Sequence, residues 1–181
     1  MYLQVGAEDE DELIARCLAG DSAAFEPLVA RYHPPLFRVA LRLLNDREEA
    51  KDVTQTAFLK AYKSLATCDR RRRFFSWIYR ILLNECLNHR RDRRPTQVLD
   101  ESLAADAGGS DPLEVRETRQ RVRHALLQLP AEQRDVIVLR HFAEMRYEQI
   151  AVAVGIPEKT VKSRLFSARQ RLCELLAAEK V

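Results

Sequence analysis

Apolar residues return at intervals of three and four along most of the chain, the period of an α-helix that buries one face. Leu13, Ile14, Cys17 and Leu18 open the pattern, and Gly20 follows as a stop. Asp21 or Ser22 can cap the next helix, whose stripe includes Phe25, Leu28 and Val29. Pro34 and Pro35 interrupt it: the ring of Pro35 clashes with the carbonyl of Arg31, so a break or kink is expected before residues 36–44. A third helix is predicted over 47–65 on Val53, Ala57, Ala61 and Leu65. A fourth runs over 74–91 on Trp77, Ile78, Ile81, Leu82 and Cys86. Two more cover 113–129, closed by Pro130, and 131–142. No segment shows the β-branched alternation of a strand, so the fold class is all-α.

The pattern fails in one place. Residues 95–112 are small, acidic and turn-forming, with Gly108 and Gly109 adjacent and no sustained apolar period. Such a stretch cannot bury enough surface to repay its ordering entropy, and it reads as a flexible acidic linker. It divides the chain into an N-terminal domain, 1–94, and a C-terminal domain, 113–181, both near the lower size at which one core suffices.

The stretch from Tyr147 to Leu165 has the spacing of a helix-turn-helix. Ala151 is small where two helices cross, and Gly155, four residues on, can take the positive φ of a tight turn. Ile150, Val154, Ile156 and Val161 fix the angle between the helices. Val161, Leu165, Ala168 and Leu172 lie within a narrow arc at 100° per residue and form the buried stripe of the last helix. Opposite them fall Lys159, Lys162, Ser163, Phe166 and Gln170, with Arg169 at the border. Cations for phosphates, with polar and aromatic groups for base edges and thymine methyls, suit a helix in the DNA major groove. A helical hairpin with a solvated basic face is the plainer alternative.

Net charge sharpens this picture only when it is divided. The 181 residues sum to +3, yet 1–26 hold one base against seven acids, and 95–118 one base against six. Residues 69–94 carry nine bases and three acids, and 119–181 twelve and seven. Two basic blocks separated by acid suggest two surfaces for a polyanion, although solvated surface charge accounts for such blocks in many chains. In the first block, residues 70–73 are all arginine and precede Phe74, Phe75 and Trp77, with Asn84, Asn88, His89, Arg90 and Arg91 further along the same helix. Cations that follow a backbone, π faces that stack and amides that read base edges suit single-stranded nucleic acid. Trp77 and Phe74 are better placed as core anchors than as stacking platforms, and Asn84 is ambiguous on spacing alone.

These blocks resemble the extracytoplasmic-function (ECF) group of bacterial sigma factors, in the sigma-70 family, over about residues 10–178 and in the family's order. The marks are Gly20-Asp21-x-x-Ala24-Phe25-x-x-Leu28-Val29 and Glu49-Ala50-x-Asp52-Val53-x-Gln55-x-Ala57-Phe58-x-x-Ala61-Tyr62. Phe74-x-x-Trp77-Ile78-Tyr79-Arg80-Ile81-x-x-Asn84 and Leu129-Pro130-x-x-x-Arg134 follow. The last is Tyr147-x-x-Ile150-Ala151-x-x-x-Gly155-Ile156-Pro157-x-x-Thr160-Val161-Lys162-Ser163-Arg164-Leu165.

The resemblance implies a protein that binds core RNA polymerase, through the clamp helices of its largest subunit and the flap, directs it to promoter DNA, and helps melt the duplex for a stress- or signal-responsive gene set. By position it assigns Glu158, Lys159, Lys162, Ser163, Arg164, Phe166 and Arg169 to the minus-35 element. Asn84, Arg80, Asn88, Arg91, Arg72 and Arg73 go to the minus-10 element, where Asn84 and a loop over 66–73 form a pocket for an extruded base. Extrusion costs a few kcal/mol of unstacking, which single-strand binding must offset. Asp52, Gln55 and Phe58 fall on the polymerase-docking surface, with Phe58 also a core candidate. An anti-sigma factor, often membrane-anchored, is the further partner implied. The chain departs from its relatives in four places: Cys68-Asp69-Arg70 replaces a common Phe-Arg-Gly, Thr56 an acidic residue and Ser167 a frequent basic one, and Pro34-Pro35 breaks a helix that relatives run straight through.

Other classes are weaker. There is no nucleotide-binding Gly-rich loop, and the four histidines are scattered, so neither an enzyme nor a cofactor is expected. Cys17, Cys68, Cys86 and Cys173 lie far apart with no C-x-x-C pair and read as reduced, packed thiols, with no metal site. The acidic start lacks the features of a secretory signal, and no uncharged apolar run approaches the ~18 residues of a membrane span, so a cytoplasmic protein is expected. A conventional helix-turn-helix regulator is the main alternative, and residues 48–94 discriminate: clamp-type and melting-type motifs serve no purpose there. An interaction module that sequesters a regulator fits the basic faces poorly.

Overall fold

The computed structural model describes residues 10–68, 74–92 and 113–178. Eight α-helices and two short 3₁₀ turns make up the described residues, and no strand occurs among them, as the periodicity predicts. In the N-terminal stretch α1 is Glu10–Leu18, α2 Glu26–Leu44, α3 Arg47–Lys63 and α4 Phe74–Asp92. In the C-terminal stretch α5 is Leu113–Gln128, α6 Ala131–His141, α7 Tyr147–Val154 and α8 Glu158–Ala178.

Local chemistry sets most of the boundaries. Asp21 caps a 3₁₀ turn rather than an α-helix, its carboxylate accepting the Ala23 N–H at 3.1 Å. Asp46 caps α3 by accepting from the Glu49 N–H at 2.9 Å, which satisfies one of the four orphan donors of that helix. Gly155 ends α7 at φ +74°, the left-handed backbone expected of the turn glycine. Asn45 ends α2 the same way at φ +62°, a non-glycine use of that region which the periodicity did not signal.

The proline pair behaves differently from the expectation. α2 runs unbroken through Pro34 and Pro35 for 19 residues. Each proline removes an i to i−4 bond and costs about 3 kcal/mol in a helix interior. Pro35 is itself buried, flanked by Tyr32, Leu36, Val39 and Ala40, and α2 packs on both α3 and α4. Burying that stripe outweighs the loss, at roughly 1.5–3 kcal/mol per large side chain.

The core of the N-terminal stretch is an α2–α3–α4 cluster closed by α1, with Leu28, Leu36, Ala57, Phe74, Ile78, Tyr79 and Leu82 fully or almost fully buried. α6, α7 and α8 enclose Val138, Leu139, Met145, Ile150, Val161 and Leu165, and α5 packs along α8. The two stretches also pack on one another, α4 against α7 and α2 against α6, and their buried residues form one contiguous cluster. Nothing in the hydrophobic periodicity signals that seam. The residues of the acidic linker lie outside those described. Three cysteines, Cys17, Cys68 and Cys86, are buried as expected, but Cys173 is exposed on α8. Burial pushes the Cys86 thiol up to about 12, so it stays protonated and inert at neutral pH.

Candidate nucleic-acid interface

α8 presents the face its sequence implied. Val161, Leu165 and Ala168 are buried, while Lys159, Lys162, Ser163, Phe166 and Arg169 point outward, Phe166 at 63% exposure. A ring that open to water, with three cations around it, contributes nothing to the core. Glu158 and Arg164 are half-buried and already engaged: Lys162 Nζ lies 2.7 Å from Glu158 Oε1, and Arg164 Nη2 lies 2.5 Å from Glu132 on α6. The Glu158 carboxylate holds the Lys162 ammonium above its usual value, so Lys162 stays charged. Ser163 Oγ donates to the Thr160 carbonyl at 3.0 Å and keeps its lone pairs outward. The second helix of the motif is positioned from behind by α7, whose first turn is fixed by the Arg146 N–H donating to Gln149 Oε1 at 2.8 Å.

A second face lies on α4. Arg80, Asn84, Asn88 and Arg91 are exposed, and Leu87, 54% exposed, stands among them. Beside Asn84 an open groove separates α3 from α4, lined by Lys60, Lys63, Ser64, Ile81, Asn84 and Glu85. Lys60 Nζ bridges it, 2.7 Å from Glu85 Oε1, and the Glu85 side chain is only 13% exposed. Ser64 Oγ donates back to the Lys60 carbonyl at 2.6 Å. Asn84 therefore stands at the rim of this open groove. Arg72, Arg73 and the rest of 69–73 lie outside the described residues. Phe74, 1% exposed, is a core residue, and Trp77 packs beside it at 5.7 Å, half-buried. The two rings anchor the start of α4, as the sequence favoured.

The third surface is the outer stripe of α3. Asp52 and Gln55 are exposed, whereas Phe58, also a core candidate, is 7% exposed, edge-on to Phe25 at 6.4 Å, and closes the α2–α3 core. One residue along the helix, 100° away, Leu59 is 56% exposed, and Tyr62 is 42% exposed on the same stripe. Asp52, Gln55, Leu59 and Tyr62 thus form a continuous polar-to-apolar strip. The i, i+3, i+4, i+7 spacing holds both readings at once, and only packing against α2 decides which residue is inside.

Charged groups dominate the seam. Arg90 on α4 meets Asp135 on α6 at 3.1 Å, both 17% exposed. Arg134 Nη2 donates to the carbonyls of Leu127 at 2.7 Å and Leu129 at 3.1 Å, and its Nη1 reaches the Leu43 carbonyl at 3.4 Å. Arg123 Nε donates to Asn45 Oδ1, and the Arg42 guanidinium lies over the Phe142 ring at 4.6 Å. Burial lowers the pKa of Arg42, and Arg123 and Arg119 add to the effect by repulsion. Among the described residues no cluster of three or more His, Cys, Asp or Glu could hold a metal ion, and no helix is long and apolar enough to cross a membrane.

Two family descriptions match the chain in the order of these surfaces: Sigma-70 region 2 over residues 28–96 and Sigma-70 region 4 over 119–172. RNA polymerase sigma-H factor of Pseudomonas aeruginosa is 34% identical over 93% of this chain and 94% of its own length. ECF RNA polymerase sigma factor SigW of Bacillus subtilis is 30% identical over 84% and 89%. Among solved structures, the sigma factor RpoE in complex with the anti-sigma factor NepR from Bartonella quintana superposes with a TM-score of 0.70 at 28% identity, over 84% of this chain and 96% of that one. The chain belongs to the sigma-70 family of RNA polymerase sigma factors, in its ECF group.

Proposed function

We propose that this sigma factor reads its promoter with two separate lobes. Residues 1–94 dock on core RNA polymerase and capture the minus-10 element, 113–181 read the minus-35 element, and 95–112 link them. What carries the reading is the pair of outward faces, the Lys159–Phe166–Arg169 side of α8 and the Asn84–Asn88–Arg91 side of α4, each backed by a fully buried stripe. In duplex DNA, α8 enters the major groove, where Lys159, Lys162, Arg164 and Arg169 meet phosphates and base edges and Phe166 contacts thymine methyls. Glu158 and Glu132 hold Lys162 and Arg164 in extended positions until phosphate replaces them. On the separated strand, Asn84 and the α3–α4 groove take an extruded base, with Arg80, Asn88 and Arg91 along the backbone. The strip Asp52, Gln55, Leu59 and Tyr62 meets the clamp helices.

No step of this work is catalytic in the chain itself: the polymerase makes the RNA, and the sigma factor supplies binding and strand selection. An anti-sigma factor is the regulator that fits, because a relative with the same fold is held by one. Run-off transcription with purified core polymerase tests the reading. Promoter-dependent transcripts are expected only when both proteins are present. Their absence on every candidate promoter, with duplex binding by the chain alone intact, would overturn it in favour of a conventional regulator.

A further inference from the structure

The groove beside Asn84 holds a group that a DNA-facing surface does not ordinarily keep. Glu85 is an anion on the helix that faces phosphates, and it would be repelled by them if unpaired. Lys60, reaching across from α3 to Glu85 Oε1 at 2.7 Å, cancels that charge and fixes the carboxylate at the groove wall. The rest of the lining is an apolar face at Ile81, two polar groups at Ser64 and Asn84, and a second cation at Lys63. Oε1 is occupied by the ammonium, which leaves Oε2 as an acceptor with no donor capacity. Asn84, the preceding residue, brings an amide that both donates and accepts.

A base lying on Ile81 would turn its exposed edge to Oε2 and the Asn84 amide. Cytosine offers N4–H₂ beside the N3 acceptor, adenine N6–H₂ beside N1, and guanine N2–H₂ beside N1–H. Each pairs an exocyclic amine with a neighbour that the Asn84 amide can satisfy. Thymine offers a single imide N–H between two carbonyl oxygens, and both oxygens repel the carboxylate. Resting on the base-capture reading above, we infer that Glu85 is the selector of this groove: it admits an extruded base that carries an exocyclic amine and rejects thymine, and Lys60 is the positioning residue that makes it tolerable beside DNA. The common aromatic-and-glycine sequence is absent at 68–70, and the selector on α4 supplies the discrimination.

The test uses the assembled holoenzyme and fluorescently labelled single strands spanning the minus-10 element of a promoter it transcribes. An abasic scan first finds the captured position. If no abasic site weakens binding, base capture itself fails, and with it the premise. At the captured position, cytosine is then compared with uracil, which differs at the N4/O4 edge without thymine's methyl. Wild-type protein is expected to prefer cytosine by about 5- to 100-fold, the range of one well-placed base-edge pair. Glu85→Gln, whose amide can turn to donate to O4 or accept from N4–H, is expected to bring the ratio within about threefold. Lys60→Met is expected to weaken binding to both strands equally by freeing a repulsive charge. A wild-type ratio near one, or a ratio that survives Glu85→Gln, would overturn the selector role while leaving base capture standing.

Discussion

Replacing Arg134 by alanine removes the α6 side chain that binds the carbonyls at the end of α5. In the wild type, Arg134 Nη2 donates to Leu127 O at 2.7 Å and Leu129 O at 3.1 Å, carbonyls that the last turn of α5 cannot satisfy internally. Hydrogen bonds from a charged donor contribute roughly 1.5–3 kcal/mol each, so these two are worth about 3–6 kcal/mol gross. The 3.4 Å approach to Leu43 O is too long to add much. Against this stands the cost of burial, visible in the lowered pKa of Arg134, caused first by desolvation and then by the charge of Arg90. Its Nε is buried with no partner among the described residues. Offsetting about half of the gross gain leaves a net loss of roughly 2–3 kcal/mol for Arg134→Ala. In a chain of this size that lowers Tm by about 5–10 °C.

Urea unfolding followed by far-UV circular dichroism measures the loss directly. Arg134→Lys separates reach from charge: an ammonium keeps the cation but stands one bond short of Nη2, the atom that makes both contacts, so it should recover less than half. An alanine variant within about 0.5 kcal/mol of wild type, or a lysine variant indistinguishable from it, would refute the clasp.

Asn84→Ala should slow open-complex formation, read by permanganate reactivity of the minus-10 thymines, while duplex binding at minus-35 stays within about twofold; equal loss of both would remove Asn84 from the pocket. Lys162→Ala should weaken duplex binding across sequences and reduce the slope of log K against log salt by about 1, because one phosphate contact no longer releases its counterion. Asp135 gives a pH prediction. Burial raises its pKa above the ordinary 3.8 despite Arg90 beside it, so the folded chain binds that proton more tightly than the unfolded one. Its stabilising contribution is present in full below the ordinary value and is lost as pH rises through the folded one. Asp135→Asn should therefore flatten the fall in stability on the way from acid towards neutrality, and an unchanged urea midpoint profile from pH 4 to 7 would refute that.

The helices were legible because each carries a complete local signature: a 3.6-residue apolar stripe, with Asp46 to start α3 and Gly155 to stop α7. Continuity at Pro34 and Pro35 was not, since it depends on α3 and α4 packing over both sides of the break. The same limit appears at Phe58 and Leu59. Their order along the helix fits either one inside, and the α2 wall around Phe25 makes the choice. The Lys60–Glu85 bridge spans 25 positions in sequence and joins two helices whose stripes say nothing about facing charges. The exposure of Asn84 on α4 was legible in the helical period, while the groove it lines depends on how α3 and α4 face each other.

The seam carries a consequence for the two-lobe reading. The contacts that cross it include Arg90 to Asp135, Arg123 to Asn45, Arg134 to the Leu43 carbonyl and Arg42 over Phe142. Of these contacts, Arg90 to Asp135 is the one between opposite charges, and Arg90 keeps Nε and Nη1 buried without a hydrogen-bond partner among the described residues. Desolvation of these guanidiniums offsets much of their Coulomb attraction, so the apolar packing of α4 on α7 and α2 on α6 is what stabilises the closed seam. Separating the lobes returns those guanidiniums to water or to phosphate, while each lobe keeps its own helix–helix core. The outward faces of α4 and α8 are exposed even with the seam closed. Closure therefore leaves both of these faces accessible to a ligand.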